Sequence, residues 1–256
     1  MSYYLLLALI VAGYMTLWFI VSLVQKRNDV ADVAWGLGFV LLTWTAFFLG
    51  GEAGARGVVV NLLVSLWGLR LAWHINRRHQ GKPEDARYAA WRLVWGKWFV
   101  VRSYLQVFLL QGALLFLVAS PLLIIGNSAG PALTLLDLLG VLVWIVGFTC
   151  ESVADAQLAR FLSDPANAGK LMQSGLWRYS RHPNYFGEIT QWWGIWLVAL
   201  SVPAGLYGII GPLTITILIL FVSGVPLVEK RYAGRADFED YKRRTSVLVP
   251  LPPRAS

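Results

Sequence analysis

Residues 3–24 read Tyr-Tyr-Leu-Leu-Leu-Ala-Leu-Ile-Val-Ala-Gly-Tyr-Met-Thr-Leu-Trp-Phe-Ile-Val-Ser-Leu-Val, without one charged side chain, and Lys26 and Arg27 follow at once. A helix of roughly 17–25 apolar residues spans the hydrocarbon core of a bilayer. Lipid offers the backbone no hydrogen-bond partners, so such a run must satisfy itself as a helix. Comparable runs recur at 33–50, 57–75, 103–125, 133–153, 186–205 and 207–228. Pro203 and Gly205 mark a turn between the last two. The pattern predicts an all-α polytopic membrane protein, a seven-helix bundle forming one integral membrane domain over residues 1–256.

Composition agrees. The chain is 57% hydrophobic and 14% charged, whereas a soluble domain carries about a quarter charged residues. Thirteen tryptophans suit interface belts as well as core. The single cysteine, Cys150, excludes an intramolecular disulfide, and its apolar surroundings favour an inert buried thiol. No small-residue cleavage pattern follows the first run, which is therefore read as an anchor.

The basic residues orient the chain. Of 22 Lys and Arg, 20 fall in the segments after the first, third, fifth and seventh runs. Arg56 is read as lying in an opposite-side loop and Arg70 within a span. The positive-inside rule then puts the N-terminus outside and the C-terminus in the cytoplasm. The net charge of +8 is thus largely a topology signal, which needs no nucleic-acid partner and suits anionic membrane lipids or an anionic cofactor.

Ionisable residues beside spans are costly and tend to mark function. Here they gather at the cytoplasmic ends: Asp29 and Asp32 open the second run, Arg70 and His74 close the third, Glu151 and Asp155 close the fifth, and Glu188 begins the sixth. The densest stretch is Gly175-Leu-Trp-Arg-Tyr-Ser-Arg-His-Pro-Asn-Tyr-Phe-Gly-Glu188. Pro183 can start a helix, where its missing N–H costs nothing. Asn184 and Glu188 then share a face beside Tyr185, with Arg178, Arg181 and His182 just before the start. Free N–H groups and two arginines at that point make a phosphate site. Glu151 and Asp155, also four apart, suit ribose hydroxyls, an amide, or pairing with those arginines. Arg77, Arg78, Lys230 and Arg244 read as topology anchors and Asp29 as solvated. No glycine pattern builds a P-loop or a Rossmann fingerprint. His74, His79 and His182 are too scattered for a metal cluster.

The 175–188 segment resembles the C-terminal signature of the steroid 5α-reductase-like superfamily. More closely, the chain resembles the bacterial membrane proteins grouped as DUF1295. Asp29-Val-Ala-Asp-Val-Ala-Trp-Gly36, Gly81-Lys-Pro-Glu-Asp-Ala-Arg-Tyr88, Glu151-Ser-Val-Ala-Asp-Ala-Gln157 and Phe238-Glu-Asp-Tyr241 add to the likeness. The resemblance implies an inner-membrane enzyme that holds NADPH in a cytoplasm-facing cavity. It would reduce a carbon–carbon double bond conjugated to a carbonyl in a lipid-soluble or steroid-like small molecule. By family position, Asp155, Arg178, Asn184 and Glu188 would touch the cofactor. Glu151, Arg181, His182 and Tyr185 lie nearby, and Arg77, Arg231, Tyr232 and Tyr241 are further candidates. The steroid enzymes carry a Gln-Glu pair and a Tyr at the carbonyl end. This chain offers Asp32 and His74 there as the catalytic pair, Asp orienting the imidazole that donates to the carbonyl. The plainer alternative pairs Asp32 with Lys26 or Arg27.

Isoprenylcysteine and phospholipid methyltransferases carry a similar Arg-His-Pro-x-Tyr. That resemblance implies S-adenosylmethionine held by His182 and Tyr185, with Glu229 as the tail carboxylate, although the tail here lacks their double Glu. A non-catalytic lipid-binding protein is a third class. The gathering of polar groups on one membrane face argues against a transporter.

Overall fold

The protein, seen as a computed structural model, is described over residues 1–50, 54–129 and 132–254. These residues are largely helical, with no β-strand among them beyond one isolated parallel bridge between Ser180 and Ser246. Six helical stretches among them are long and apolar enough to cross a membrane: Tyr3–Gln25, Val30–Gly50, Ala55–His79, Ala86–Val118, Leu135–Ser163 and Gly205–Lys230. The chain divides into two compact units, Met1–Thr134 with Ala199–Gly211, and Leu135–Val198 with Pro212–Ser256.

In the first unit, α1 (Tyr3–Gln25) starts at a Ser2 cap, whose hydroxyl accepts from the Leu5 N–H, and stops at Lys26 in the left-handed region, φ 54°. Helices α2 (Val30–Gly50) and α3 (Ala55–His79) cross where Gly36 meets Gly68. A Cβ at either glycine would lie 2.6 Å from the other's carbonyl oxygen, so the approach depends on neither having one. Small residues permit such contact between membrane helices, and polar side chains then bond across them. Thr43 donates to Asn61 at 2.6 Å and the Trp44 indole to Ser65 at 2.9 Å. Arg56, expected in a loop, belongs to the first turn of α3, is buried, and donates to the Ala132 carbonyl. A helix N-terminus can begin inside an apparent loop when its first residues find acceptors.

The expected span at 103–125 is segmented. A short helix α4 (Ala86–Trp95) ends at Gly96, whose φ of 48° breaks the helical path. Then come α5 (Phe99–Ser103), a π-helical stretch (Tyr104–Leu109), α6 (Leu110–Val118) and, after Ala119, α7 (Ser120–Gly126) with proline in its first turn.

In the second unit, α8 (Leu135–Ser163) and α9 (Pro183–Ala199) run antiparallel through two glycine contacts. Cβ atoms at Gly140 and Gly194 would lie 2.6 and 2.7 Å from each other's carbonyl oxygens. One at Gly147 would lie 2.6 Å from the Gly187 oxygen, and one at Gly187 2.5 Å from the Glu151 nitrogen. The stretch expected to span at 186–205 starts earlier and stops at Ala199; with 17 residues it sits at the lower limit of a crossing helix. After a turn come α10 (Ile210–Ile217), a π-helical stretch (Leu218–Val222), α11 (Val225–Lys230) and α12 (Ala236–Arg244).

Candidate functional site

The glycine crossing brings the acidic face of α8 against the polar start of α9. Asn184 donates from Nδ2 to Asp155 Oδ1 at 3.2 Å, and its own Oδ1 accepts from the Tyr185 N–H at 3.0 Å. Two turns deeper, Gln191 donates from Nε2 to Glu151 Oε2 at 2.5 Å and to the Gly187 carbonyl at 3.4 Å. Both Gln191 donor hydrogens are thereby directed at acceptors. Its Oε1 is buried with no hydrogen-bond partner among the described residues, in a side chain 2% exposed. Glu188 is half-buried one turn along α9 from Asn184.

Ahead of α9 the two arginines behave differently. Arg181 is committed: Nε donates to Glu229 at 2.8 Å, and a terminal nitrogen donates to the Thr245 and Lys242 carbonyls at 2.6 and 3.3 Å. Arg178 is exposed. His182 is buried, places Nε2 3.2 Å from Glu229 Oε1, and stacks on Tyr185 at 5.3 Å. Burial pushes the His182 pKa below the ordinary histidine value, although the Glu229 bond pulls the other way. Helix α9 starts at Pro183, as its sequence predicts, but few of its opening N–H groups are free: His182 N–H goes to the Ser180 hydroxyl and Tyr185 N–H to Asn184.

The C-terminal tail fixes this segment. The Arg181 N–H donates to the Ser246 carbonyl, Ser180 Oγ to Leu248, and the Leu251 N–H to Tyr179. The buried Tyr241 directs its hydroxyl at the Trp177 and Ser180 carbonyls, and burial pushes its pKa up. Gly175 turns at φ 61°, and Gln157 accepts from the Leu176 N–H beside it. Tyr232 packs on Phe238 and lies under Arg235 rather than joining the cluster, and Arg231 is exposed.

In the first unit, the motifs around Asp29 and Gly81 interlock. Asp32 accepts from the Tyr88 hydroxyl at 2.8 Å and from Arg87 at 3.2 Å, rather than from the Lys26 or Arg27 of the plainer alternative. Asp29, expected to be solvated, is fully buried. Arg27 grips both its oxygens at 2.6 and 2.8 Å, and the Asp85 N–H donates to it at 3.0 Å. Its burial opposes ionisation, yet those donors hold its pKa below the usual carboxylate value. Glu84 accepts from the Asn28 N–H and from Arg92. His74 is half-buried on α3, and Arg77 lies exposed over Trp73 at 4.9 Å. Among the described residues no group of His, Cys, Asp and Glu is arranged to hold a metal ion.

The family model described as protein of unknown function (DUF1295) matches residues 18–245. This chain belongs to the DUF1295 family. The match takes in both clusters. The DUF1295 protein is 26% identical to an uncharacterised protein of Schizosaccharomyces pombe over 204 residues, 69% of this chain and 59% of that one. It is 31% identical over 115 residues to mouse 3-oxo-5-alpha-steroid 4-dehydrogenase 1, covering 44% of this chain and 42% of the enzyme. With the human enzyme of the same name the figures are 28%, 44% and 41%. The chain thus spans 59% of the length of the yeast relative and about two fifths of the length of the two dehydrogenases. No solved structure matches it. The six apolar helical stretches among the described residues, together with these relatives, make the DUF1295 protein an integral membrane protein.

Sequence reading missed Gln191, Arg87 and Tyr88. A signal was present for Gln191: Gly140 and Gly147 repeat at the same seven-residue interval as Gly187 and Gly194, a small-residue pattern that brings helices close. Tyr88 stood in a quoted motif, but nothing in spacing alone links it to Asp32.

Proposed function

We propose that this protein is an NADPH-dependent membrane reductase acting on a carbon–carbon double bond conjugated to a carbonyl in a lipid or steroid-like substrate. The observation that carries the reading is the Asp155–Asn184 pair, set beside Glu151 and Gln191 on the α8–α9 crossing. The residues fit a dinucleotide: carboxylates suit ribose hydroxyls, exposed Arg178 suits a phosphate, and the open Gln191 Oε1 suits an uncharged donor such as a carboxamide N–H. NADPH supplies a hydride when bound. Asp155 would hold a hydroxyl, Asn184 would orient Asp155, and Glu151 would keep Gln191 turned so that its oxygen stays open. Asp32 and His74 are proposed as the acid side of the reaction, with Arg87 and Tyr88 fixing Asp32.

The likeness to the 3-oxo-5-alpha-steroid 4-dehydrogenases supports reduction of an enone. The same reading takes α9 as a seventh crossing, with the N-terminus outside and the C-terminus in the cytoplasm of a bacterial inner membrane. NADPH should raise the thermal midpoint of the detergent-solubilised protein, since a ligand that binds the folded state stabilises it. Asn184→Ala and Glu188→Ala should remove that rise while the protein stays folded. An unchanged rise in both variants places the cofactor elsewhere.

One observation favours a second reading. His182 is stacked on Tyr185 and bonded to Glu229, the three residues a membrane methyltransferase would use. Stabilisation by S-adenosylmethionine and none by NADPH would replace the reductase with that enzyme.

A further inference from the structure

Helix α4 and the crossing segment after it do not form one rod. On a continuous helix, residues 88 and 111 would stand about 35 Å apart at 1.5 Å per residue. Instead Gln111 Nε2 is 3.5 Å from the Tyr88 hydroxyl, and the Arg92 guanidinium lies 4.0 Å over the Phe99 ring. Gly96 is where the chain reverses, its φ of 48° and ψ of −123° lying off the helical path. So α4 folds back along α5 and the π-helical stretch as one arm of a hairpin.

The polar residues of this arm point inward. Tyr88 and Arg87 hold Asp32, and Arg92 holds Glu84 and the Lys26 carbonyl. Its apolar residues point outward, Leu93 85% exposed and Val94 78%, with Trp91 stacked on Trp95, and Trp98 in the turn after Gly96 is 57% exposed. A helix facing water is built the other way round. The tethers from Arg92 to Lys26 and from Tyr88 to Asp32, with the Asn28 N–H donating to Glu84 just ahead of α4, hold the arm at the ends of α1 and α2, the level of a bilayer surface rather than its centre. The acids of this stretch are engaged, Glu84 by Arg92 and Asp85 by Arg87, while Lys82, Lys97 and Arg102 are exposed.

We propose that the α4 hairpin is an interfacial anchor, its Leu93–Trp98 tip seated at the headgroup–acyl boundary of a leaflet containing anionic phospholipid. Tryptophan and branched apolar side chains favour that depth, and the outward lysines and arginine face the negative headgroups. The anchor also sets the position of Tyr88 and Arg87, so the leaflet reaches Asp32 through α4.

The test uses the full chain in lipid nanodiscs. Cys150→Ser removes the one native thiol, and Leu93→Cys, Val94→Cys or Lys82→Cys then carries an environment-sensitive fluorophore. Labels at 93 and 94 should emit at blue-shifted wavelengths, and doxyl groups near the lipid headgroup should quench them more than doxyl groups near the chain end. The label at 82 should emit as in water. Adding phosphatidylglycerol to phosphatidylcholine discs should strengthen quenching at 93, and Lys97→Gln with Arg102→Gln should remove that gain. Water-like emission at 93 and 94 overturns the anchor. Stronger quenching from the chain end overturns it too, because the arm would then lie in the hydrocarbon core. Equal quenching with and without phosphatidylglycerol overturns the anionic preference.

Discussion

The Tyr88 hydroxyl donates to Asp32 Oδ1 while Arg87, the residue before it, donates to Oδ2, so one turn of α4 holds both oxygens of the acid that opens α2. Tyr88→Phe leaves a partly buried carboxylate short of a donor. That change should cost about 1–3 kcal/mol of stability, the usual penalty for stranding such a group. Chemical denaturation in detergent measures it, and a loss near zero would mean that water replaces the phenol.

Asp32→Asn and His74→Phe address chemistry rather than folding. Each should lower turnover of a lipid-soluble enone by about 10²-fold, a typical size for losing a positioned acid or base. NADPH affinity should stay close to wild type. If affinity falls and turnover of the bound enzyme holds, these residues serve the cofactor or the fold.

Gly147 and Gly187 should tolerate no side chain. A Cβ at either would meet backbone atoms at 2.5–2.7 Å, and backbone cannot swing aside. Gly147→Ala and Gly187→Ala should each destabilise by about 1–3 kcal/mol through overpacking and should separate Gln191 from Glu151. Gly13, with nothing within 4 Å of its added Cβ, is the control, and Gly13→Ala should be neutral or slightly stabilising.

Acid should weaken the protein in two steps. His182 has a folded pKa depressed below its unfolded value near 6.5, so below that pH the unfolded chain takes up the proton first. Stability is then complete above the unfolded pKa and falls as pH drops toward the folded one. His182→Asn should flatten this part of the profile. Asp29 is also depressed, from 3.8, so its contribution is present above that value and disappears only as pH falls through its lower folded pKa. Unfolding followed from neutral pH to strong acid separates the two steps. A His182→Asn profile identical to wild type would assign the first step to another group.

Truncation after Arg244 removes the Thr245, Ser246 and Leu248 carbonyls that hold Arg181 and Ser180. The shortened protein should lose the thermal shift given by NADPH. Ser180→Ala, which deletes a buried hydroxyl that donates to Leu248 and accepts from the His182 N–H, should cost about 1–3 kcal/mol and leave the shift in place.

The apolar runs at 3–24, 33–50 and 57–75 foretold α1, α2 and α3 almost to their ends, because hydropathy over twenty residues depends on local sequence alone. Pro183 likewise announced the start of α9. The charged residues were harder to read. Asp29 and Lys82 both sit in polar stretches, yet one is fully buried and the other exposed, and only the partners contributed by Arg27 and the Asp85 N–H decide between them. Arg178 and Arg181 are three residues apart and look alike in sequence. Folding of the tail commits one and leaves the other exposed. Hydropathy also carried the 103–125 run as one span, where the break after Val118 depends on backbone geometry that composition does not encode.

The pairing of Leu251 with Tyr179 and of Ser246 with Arg181 also sets an order of events during synthesis. Helices α8 and α9 can enter the membrane and meet through their glycines while translation continues. The loop ahead of α9 cannot take its final form until residue 251 has left the ribosomal exit tunnel. A nucleotide that relies on this loop therefore cannot assist the earlier steps of assembly.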